Sequence, residues 1–188
     1  MRKGILLFIV VAVLFVTGCA PQGSSPEEIA EVVSEEADVP SETVPVDWKS
    51  VGFVDASTGE TFTITQFAGT PVLVESFAVW CPKCLRQQEI LSEFKQQSGD
   101  AVVIVSLDTD PNEDLVRVQE HLARYGFDWY FAVSPSDVTQ ALIAEFGLEV
   151  VSAPSTPIIL VCADQSTRFL ESGEKSLEEL ATALEQGC

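Results

Sequence analysis

Two cysteines separated by two residues are the part of this sequence best suited to chemistry. Cys81 and Cys84 follow the apolar run at residues 72–79 and precede a segment with helical spacing, which predicts a strand, a tight turn and a helix. A thiolate at a helix N-terminus faces unpaired N–H groups and the positive end of the helix dipole, which favours the ionised form. We therefore predict that Cys81 is an accessible nucleophile and that Cys84, on the same helix face, resolves or closes a disulfide with it.

The residues between the two cysteines favour the same chemistry. Pro82 suits an early helical position, because its missing N–H would have no partner there. Lys83 adds a positive charge that should stabilise the thiolate further. The spacing alone also allows half of a metal site or a static disulfide, and these two alternatives remain open.

Glu75 is a charged residue in an otherwise apolar strand, six residues before Cys81. With a period of two it shares a face with Leu73 and Phe77, so its side chain can point under the helix that carries the thiols. A lone buried carboxylate is costly, and its pKa should therefore rise. The alternative is a carboxylate at a strand edge that reaches water.

The first eighteen residues have the organisation of a secretory signal. Arg2 and Lys3 precede an apolar stretch at residues 5–16, and small residues lead to Cys19. We predict a signal peptide at residues 1–18 that is cleaved before Cys19, with an uncleaved membrane anchor as the alternative. Either places the rest of the chain outside the cytoplasm.

Residues 19–47 have the composition of a linker. The 28 residues from 20 to 47 include eight acids and no Lys or Arg, and as a flexible coil they would span roughly 30 Å. The chain has a net charge of −19, and loss of Arg2 and Lys3 would make it −21 (−19 − 2). Such acidity argues against nucleic acid or anionic lipid headgroups as partners. A length of 188 residues leaves room for one folded domain, predicted at residues 48–188.

Within that domain, predicted strands alternate with predicted helices and end in a hairpin and a helix. This order is typical of an α/β sandwich of three layers with a mixed sheet. The predicted strands are residues 51–55, 61–64, 72–79, 101–107, 129–133, 158–162 and 167–171, and the predicted helices follow Cys81 and span about 110–125, 136–146 and 176–186.

The motif at residues 80–84, between a strand and a helix, and the pair Thr156-Pro157 at the start of a later strand together resemble a thioredoxin-fold protein. The N-terminal hairpin, the inserted helix at residues 111–126 and the lipoprotein-like leader resemble more narrowly the membrane-anchored thiol-disulfide oxidoreductases typified by TlpA and ResA. This resemblance implies a thioredoxin-like α/β/α sandwich. It also implies that Cys19 carries the lipid anchor.

The resemblance also implies roles for single residues. Glu75 would exchange a proton with Cys84. The Thr156–Pro157 bond would be cis, with the Thr156 backbone turned outward to pair with an extended substrate. Pro154 is the rival for this place, but the apolar strand starts only after Pro157. The expected substrate-contacting residues are then Trp80, Pro82, Lys83, Thr156 and Pro157.

One position departs from this family. A proline often kinks the active-site helix about five residues past the second cysteine, where this chain has Glu89. Gln87 and Gln88 also make the first turns of the helix more polar than expected. His121, the only histidine, is expected on a helix surface, with a role as a ligand as the alternative.

Cys162 and Cys188 are a possible structural disulfide. Cys162 ends the first strand of the closing hairpin, and the second strand runs away from it. The last helix then returns over about the same length, so the chain end should come back near Cys162. A free buried Cys162 with a free Cys188 is the alternative.

These features predict a membrane-tethered, extracytoplasmic thiol-disulfide oxidoreductase that reduces the disulfides of other proteins. No flavin or nicotinamide motif is present, so we expect no cofactor beyond the redox-active disulfide Cys81–Cys84, and a partner must supply electrons. By resemblance this partner is a membrane electron carrier, and cytochrome maturation is one possible pathway. A copper(I) delivery protein, or a peroxidase of the same fold, is the alternative.

Overall fold

The computed structural model describes residues 46–188. The predicted signal peptide, Cys19 and nearly all of the linker lie outside the described residues. Among residues 46–188, no helix has both the length and the apolar character needed to cross a membrane.

A five-stranded mixed sheet forms the centre of the fold, and its middle strand is the apolar run before the cysteines. All six residues of that strand are buried. The five strands are β3 (Val72–Phe77), β4 (Val103–Asp108), β5 (Tyr130–Val133), β6 (Ile158–Val161) and β7 (Thr167–Phe169). Their spatial order is β5-β4-β3-β6-β7, in which β3 is parallel to β4, β4 is parallel to β5, and β6 is antiparallel to both β3 and β7.

Helices cover both faces of this sheet. The helices are α1 (Pro82–Ser98), α2 (Leu115–Tyr125), α3 (Ser136–Phe146) and α4 (Leu177–Gln186), and the N-terminal hairpin consists of β1 (Phe53–Val54) and β2 (Thr61–Phe62). Leu73 and Phe77 of β3 pack in the core beneath α1, α2 and α4, whereas Val72 and Val74 face the core beneath α3 and the N-terminal hairpin. The prediction of a three-layer thioredoxin-like sandwich is therefore confirmed.

Two elements differ from their predicted lengths for local reasons. The hairpin strands are short because Ile64 already begins a 3₁₀ turn, which a capping box at Thr63 initiates. Helix α2 begins at Leu115 and not near residue 110, because the carboxylate of Asp114 accepts a hydrogen bond from the N–H of Arg117 and caps the helix there.

The structure joins Cys162 and Cys188 by a disulfide, with 6.0 Å between their Cα atoms. Helix α4 returns the chain along the sheet, and Gly187 ends the helix with a positive φ of 65°, which glycine adopts without steric cost. The disulfide ties the end of α4 to the end of β6.

Candidate redox site

The first cysteine caps the helix that carries the second. Cys81 is the N-cap residue of α1, Pro82 occupies the first helical position, and the Sγ of Cys81 accepts a hydrogen bond from the N–H of Cys84 at 3.2 Å. Both cysteines are free thiols. The arrangement gives the Cys81 sulfur the backbone donor that a thiolate needs.

The prediction that the Cys81 sulfur is accessible is wrong for this state of the protein. Cys81 is only 2% exposed and Cys84 1%. The reason is that Cys81 turns its sulfur inward to cap α1, while the Cys84 thiol donates to the carbonyl of Ala153 at 3.1 Å. The exposed part of the motif consists of its other residues, Trp80, Pro82 and Lys83.

Burial also disfavours the ionised form of the second thiol. The pKa of Cys84 is raised, first by burial and then by its hydrogen bond with Cys81 and by the nearby charge of Glu75. Cys84 therefore needs a base before it can act as a nucleophile.

Glu75 is the buried acid next to the pair. It is 1% exposed, so the alternative of an edge carboxylate in water is wrong. Its Oε2 accepts from the Ser106 hydroxyl at 2.7 Å and from Nε2 of Gln88 at 3.2 Å, while Oε1 is buried without a hydrogen-bond partner. Burial raises the pKa of Glu75 to about 7, against these two hydrogen bonds and the charge of Lys175. A carboxyl group with this pKa can take and return a proton at neutral pH.

His121 lies in this network and not on the surface, which corrects its predicted place. It is buried on α2, and its Nε2 contacts Oε1 of Gln88 at 2.7 Å. Val118 and Leu122 are buried on the same stripe, so position 121 faces α1, whereas Tyr125 is 41% exposed. The polar residues Gln87 and Gln88 are both fully buried on α1.

Lys175 is a site residue that sequence reasoning missed. The side-chain amide of Gln87 makes two hydrogen bonds with the Lys175 backbone. It accepts from the Lys175 N–H at 2.6 Å and donates to the Lys175 carbonyl at 3.2 Å. The Lys175 ammonium is buried and donates to the carbonyl of Thr156 at 2.7 Å. Burial lowers the pKa of Lys175 to about 8, although the charge of Glu75 opposes this shift. The loop before α4 gives no local sequence signal for a buried lysine.

The Thr156 backbone is engaged within the protein in this structure, and its predicted role in binding substrate stays a prediction. Thr156 is fully buried in the left-handed region with φ 46°. Its N–H donates to the carbonyl of Ala153 and its carbonyl accepts from the ammonium of Lys175, so both groups have partners within the protein. Pro157 does directly precede β6, and its carbonyl accepts from the N–H of Ser76 at 3.1 Å. The cis bond stays a prediction.

Acidic side chains of the β4–α2 connection form hydrogen bonds with the two residues that precede Cys81. Asp110 accepts from Nε1 of Trp80 at 2.6 Å, and Glu113 accepts from the N–H of Val79 at 2.6 Å. Asp108 is buried beside them, and burial raises its pKa to about 7. These contacts keep Trp80 in place although it is 59% exposed.

A small cleft of about 180 Å³ opens between Trp80 and the 3₁₀ turn Ala153–Ser155. Asp110 and Pro154 line it with them. Within residues 46–188 there is no group of three His, Cys, Asp or Glu side chains placed to hold a metal ion. The cleft borders the motif at Trp80 and could take a substrate side chain.

Comparisons with known proteins agree with this fold. A family model described as Redoxin matches residues 36–184. A thiol:disulfide interchange protein of the thioredoxin family from Chlorobium tepidum TLS has a TM-score of 0.62 and 15% identity, over 78% of this chain and 98% of that chain. No curated protein matches the chain.

Two further solved structures with this fold belong to proteins described as secreted or exposed. A secreted Mycobacterium tuberculosis disulfide oxidoreductase homologous to E. coli DsbE has a TM-score of 0.57 and 19% identity, over 72% of this chain and 95% of that chain. The pneumococcal exposed lipoprotein thioredoxin from Streptococcus pneumoniae strain TIGR4 has a TM-score of 0.56 and 15% identity, over 72% and 98%. At these identities the likeness is one of fold.

Proposed function

Because the chain belongs to the Redoxin family, we propose that it is a thiol-disulfide oxidoreductase that reduces protein disulfides through Cys81 and Cys84. The observation that carries the proposal is the pair of free thiols at the N-terminus of α1, the helix whose Gln88 donates to the buried carboxyl group of Glu75. Neither thiol needs a bound cofactor for this chemistry.

The reaction has two exchange steps. The Cys81 thiolate attacks one sulfur of a substrate disulfide, a mixed disulfide forms, and the other substrate sulfur leaves as a thiolate that takes a proton from water. Glu75 then accepts the proton of Cys84, and the Cys84 thiolate attacks the Cys81 sulfur. The second substrate thiolate leaves, so the substrate gains two electrons and the enzyme ends with a Cys81–Cys84 disulfide.

Substrate access requires local opening, since Cys81 is 2% exposed. Trp80, Pro82 and Lys83 surround the sulfur on the solvent side, and the cleft beside Trp80 offers a place for a substrate residue next to its disulfide. In this proposal Pro157 lies at the inner edge of the contact area. Thr156 joins it only if Lys175 releases the Thr156 carbonyl.

The protein would work outside the cytoplasm, tethered to the membrane through a lipid on Cys19. The sequence of the leader supports this location, and two of the similar folds belong to a secreted protein and an exposed lipoprotein. A membrane electron carrier would return electrons to the Cys81–Cys84 disulfide after each turnover. Among possible substrates, apocytochromes awaiting maturation fit a reductase in this place.

Trapping the mixed disulfide tests the exchange mechanism. Cys84→Ser should accumulate a covalent adduct between Cys81 and a protein disulfide, because the resolving thiol is absent, and reductant should release it. Cys81→Ser is the matched control and should trap nothing. Equal trapping by the two variants, or none by Cys84→Ser, would contradict the proposal.

The reduction potential of the pair tests the direction. A value near that of thioredoxin, about −270 mV, supports a reductase, and a value near that of DsbA, about −120 mV, means that the protein generates disulfides instead.

A further inference from the structure

Two chains of hydrogen bonds hold the buried acid of the site, and both end on the same oxygen. In one chain, Nε1 of Trp129 donates to Oγ of Ser106 at 3.0 Å, and Ser106 donates to Oε2 of Glu75 at 2.7 Å. In the other, Nε2 of His121 lies 2.7 Å from Oε1 of Gln88, and Nε2 of Gln88 donates to the same Oε2 at 3.2 Å. Oε1 of Glu75 has no partner.

The two chains of hydrogen bonds differ in whether their donors and acceptors can exchange roles. An indole N–H can only donate, so Ser106 must use its lone pair for Trp129 and its own O–H for Glu75. A glutamine amide can be turned either way. Gln88 keeps its NH₂ toward the carboxylate only if a donor occupies its oxygen end, and His121 is such a donor when Nε2 carries the proton.

The surroundings of His121 hold its ring in place and keep the imidazole neutral. The ring packs against four aromatic side chains at centroid distances of 4.9 to 6.3 Å, namely Phe77, Tyr125, Phe127 and Phe131. Burial, with a smaller contribution from Arg124, lowers the pKa of His121 to about 4. The imidazole is therefore neutral at physiological pH, with one N–H to place. The other ionisable groups of the surface groove that His121 lines are Asp114, Arg117, Glu120 and Tyr125.

We propose that His121 is a positioning residue, which holds the NH₂ of Gln88 against Oε2 of Glu75 and so leaves Oε1 as the oxygen that takes and returns the proton of Cys84. The inference rests on the proposed proton exchange between Glu75 and Cys84. If the amide turned over, its carbonyl would face the carboxylate, and Glu75 would keep its proton more tightly. Besides Cys84, the charged group that acts on Glu75 is Lys175.

The tautomer of His121 is the first test, and it needs no variant. The chain has one histidine, so ¹⁵N NMR of the full chain without a histidine tag reports His121 alone. We expect the Nε2–H tautomer at neutral pH. The Nδ1–H tautomer would overturn the inference, since His121 would then present an acceptor to Gln88. This result does not depend on whether the protein exchanges disulfides.

Substitutions supply the second test, with the pKa of Glu75 measured by ¹³C NMR of its carboxyl group. His121→Phe keeps an aromatic ring but removes the donor, and should raise the pKa of Glu75 by about one unit, a tenfold loss of the ionised form at pH values below that pKa. His121→Gln can place an amide N–H where Nε2 was and should restore the wild-type value. Tyr125→Phe, which contacts the same ring, should leave it unchanged.

An unchanged pKa of Glu75 in His121→Phe would overturn the inference, and so would equal shifts in the Phe and Gln variants, which would indicate packing alone. The outcome is separate from that of the trapping experiment. A shift of the pKa in a protein that traps no mixed disulfide would contradict the proposed function and leave the positioning role of His121 intact.

Discussion

The folded part of the chain contains two pairs of cysteines, which differ in spacing, bonding and surroundings. Cys81 and Cys84 lie within one helical turn above the central strand, unbonded and buried. Cys162 and Cys188 are 26 residues apart and bonded, at the end of β6 and the end of the chain. The first pair is surrounded by the titratable network of the site, whereas the second pair connects two elements.

This difference shows that the surroundings of a thiol, and not its presence, decide its use. A disulfide that is to form and break needs a stabilised thiolate and a base within the protein. A disulfide that closes a long loop stabilises the fold by restricting the unfolded chain. We therefore expect the first pair to cycle and the second to remain oxidised.

The largest contrast should appear in activity. Cys81→Ser should reduce disulfide exchange with a protein substrate to background, because the attacking sulfur is lost. The double variant Cys162→Ser with Cys188→Ser should exchange at the wild-type rate per folded molecule, measured below its unfolding temperature. Loss of exchange in the double variant would make the second pair part of the electron path and remove the contrast.

Stability should show the reverse contrast. The loop of 26 residues predicts that the Cys162→Ser, Cys188→Ser variant loses about 2 to 4 kcal/mol of unfolding free energy. Urea denaturation without reductant measures this loss. Reduction of wild-type protein should lower the unfolding free energy by a similar amount. The variant Cys81→Ser, Cys84→Ser, which keeps only the second pair, shows how much of that loss comes from reducing Cys162–Cys188. If reduction leaves the wild-type midpoint unchanged, Cys162 and Cys188 are not bonded in solution.

The sequence was sufficient to predict the fold and the arrangement of the first pair around its helix. Those predictions rest on local signals, namely the apolar run before Cys81, the caps of the helices and the alternation of strands and helices. The approach of Cys188 to Cys162 also followed from element lengths. Each of these features depends on residues close together in the chain or on simple lengths.

The errors concern contacts between distant segments. His121 was expected at the surface because a histidine beside an apolar stripe is usually solvated, but α2 packs over α1 and Gln88 gives it a buried partner. A polar residue spaced three after Val118 was the signal that could have placed it. Lys175 and the buried carbonyl of Thr156 meet across 19 residues, and nothing local to either segment announces the contact.

The pH dependence of stability should distinguish the buried acid of the first pair from ordinary surface carboxylates. Burial raises the pKa of Glu75 from 4.5 to about 7, so between these pH values the folded protein holds a proton that the unfolded chain has released. Stability must then fall as the pH rises from about 4.5 to 7, and stay lower above pH 7. The loss is about 3 kcal/mol at 1.36 kcal/mol per pKa unit.

Glu75→Gln, which resembles the protonated acid, should not lose this stability. Denaturation curves of the two proteins across this range check the prediction. Asp108 titrates in the same direction in both proteins, since burial raises its pKa to about 7, and it cancels in the difference. Parallel stability curves for wild type and Glu75→Gln would show that the acid is not buried as a lone group.

Lys175 should have the smallest effect, because its charge is the least of the causes that set the pKa of Glu75. Lys175→Met removes a cation that favours the ionised carboxylate, so the pKa of Glu75 should rise. We expect the pH midpoint of the resolving step to move up by less than about one unit, which is less than tenfold in rate at neutral pH. Stopped-flow release of a mixed disulfide across pH measures it, and Lys83→Met, which removes an exposed charge of the motif, is the matched control.

The shape of the profile separates the two roles of Lys175. Loss of its bond to the Thr156 carbonyl would change the rate by the same factor at every pH, because that carbonyl does not titrate. Loss of its charge would move the midpoint and leave the plateau at high pH where it was, since Glu75 is fully ionised there in both proteins. A midpoint that stays where it was, or moves down, would contradict an effect of the Lys175 charge on Glu75. The lysine would then act only by holding the Thr156 carbonyl.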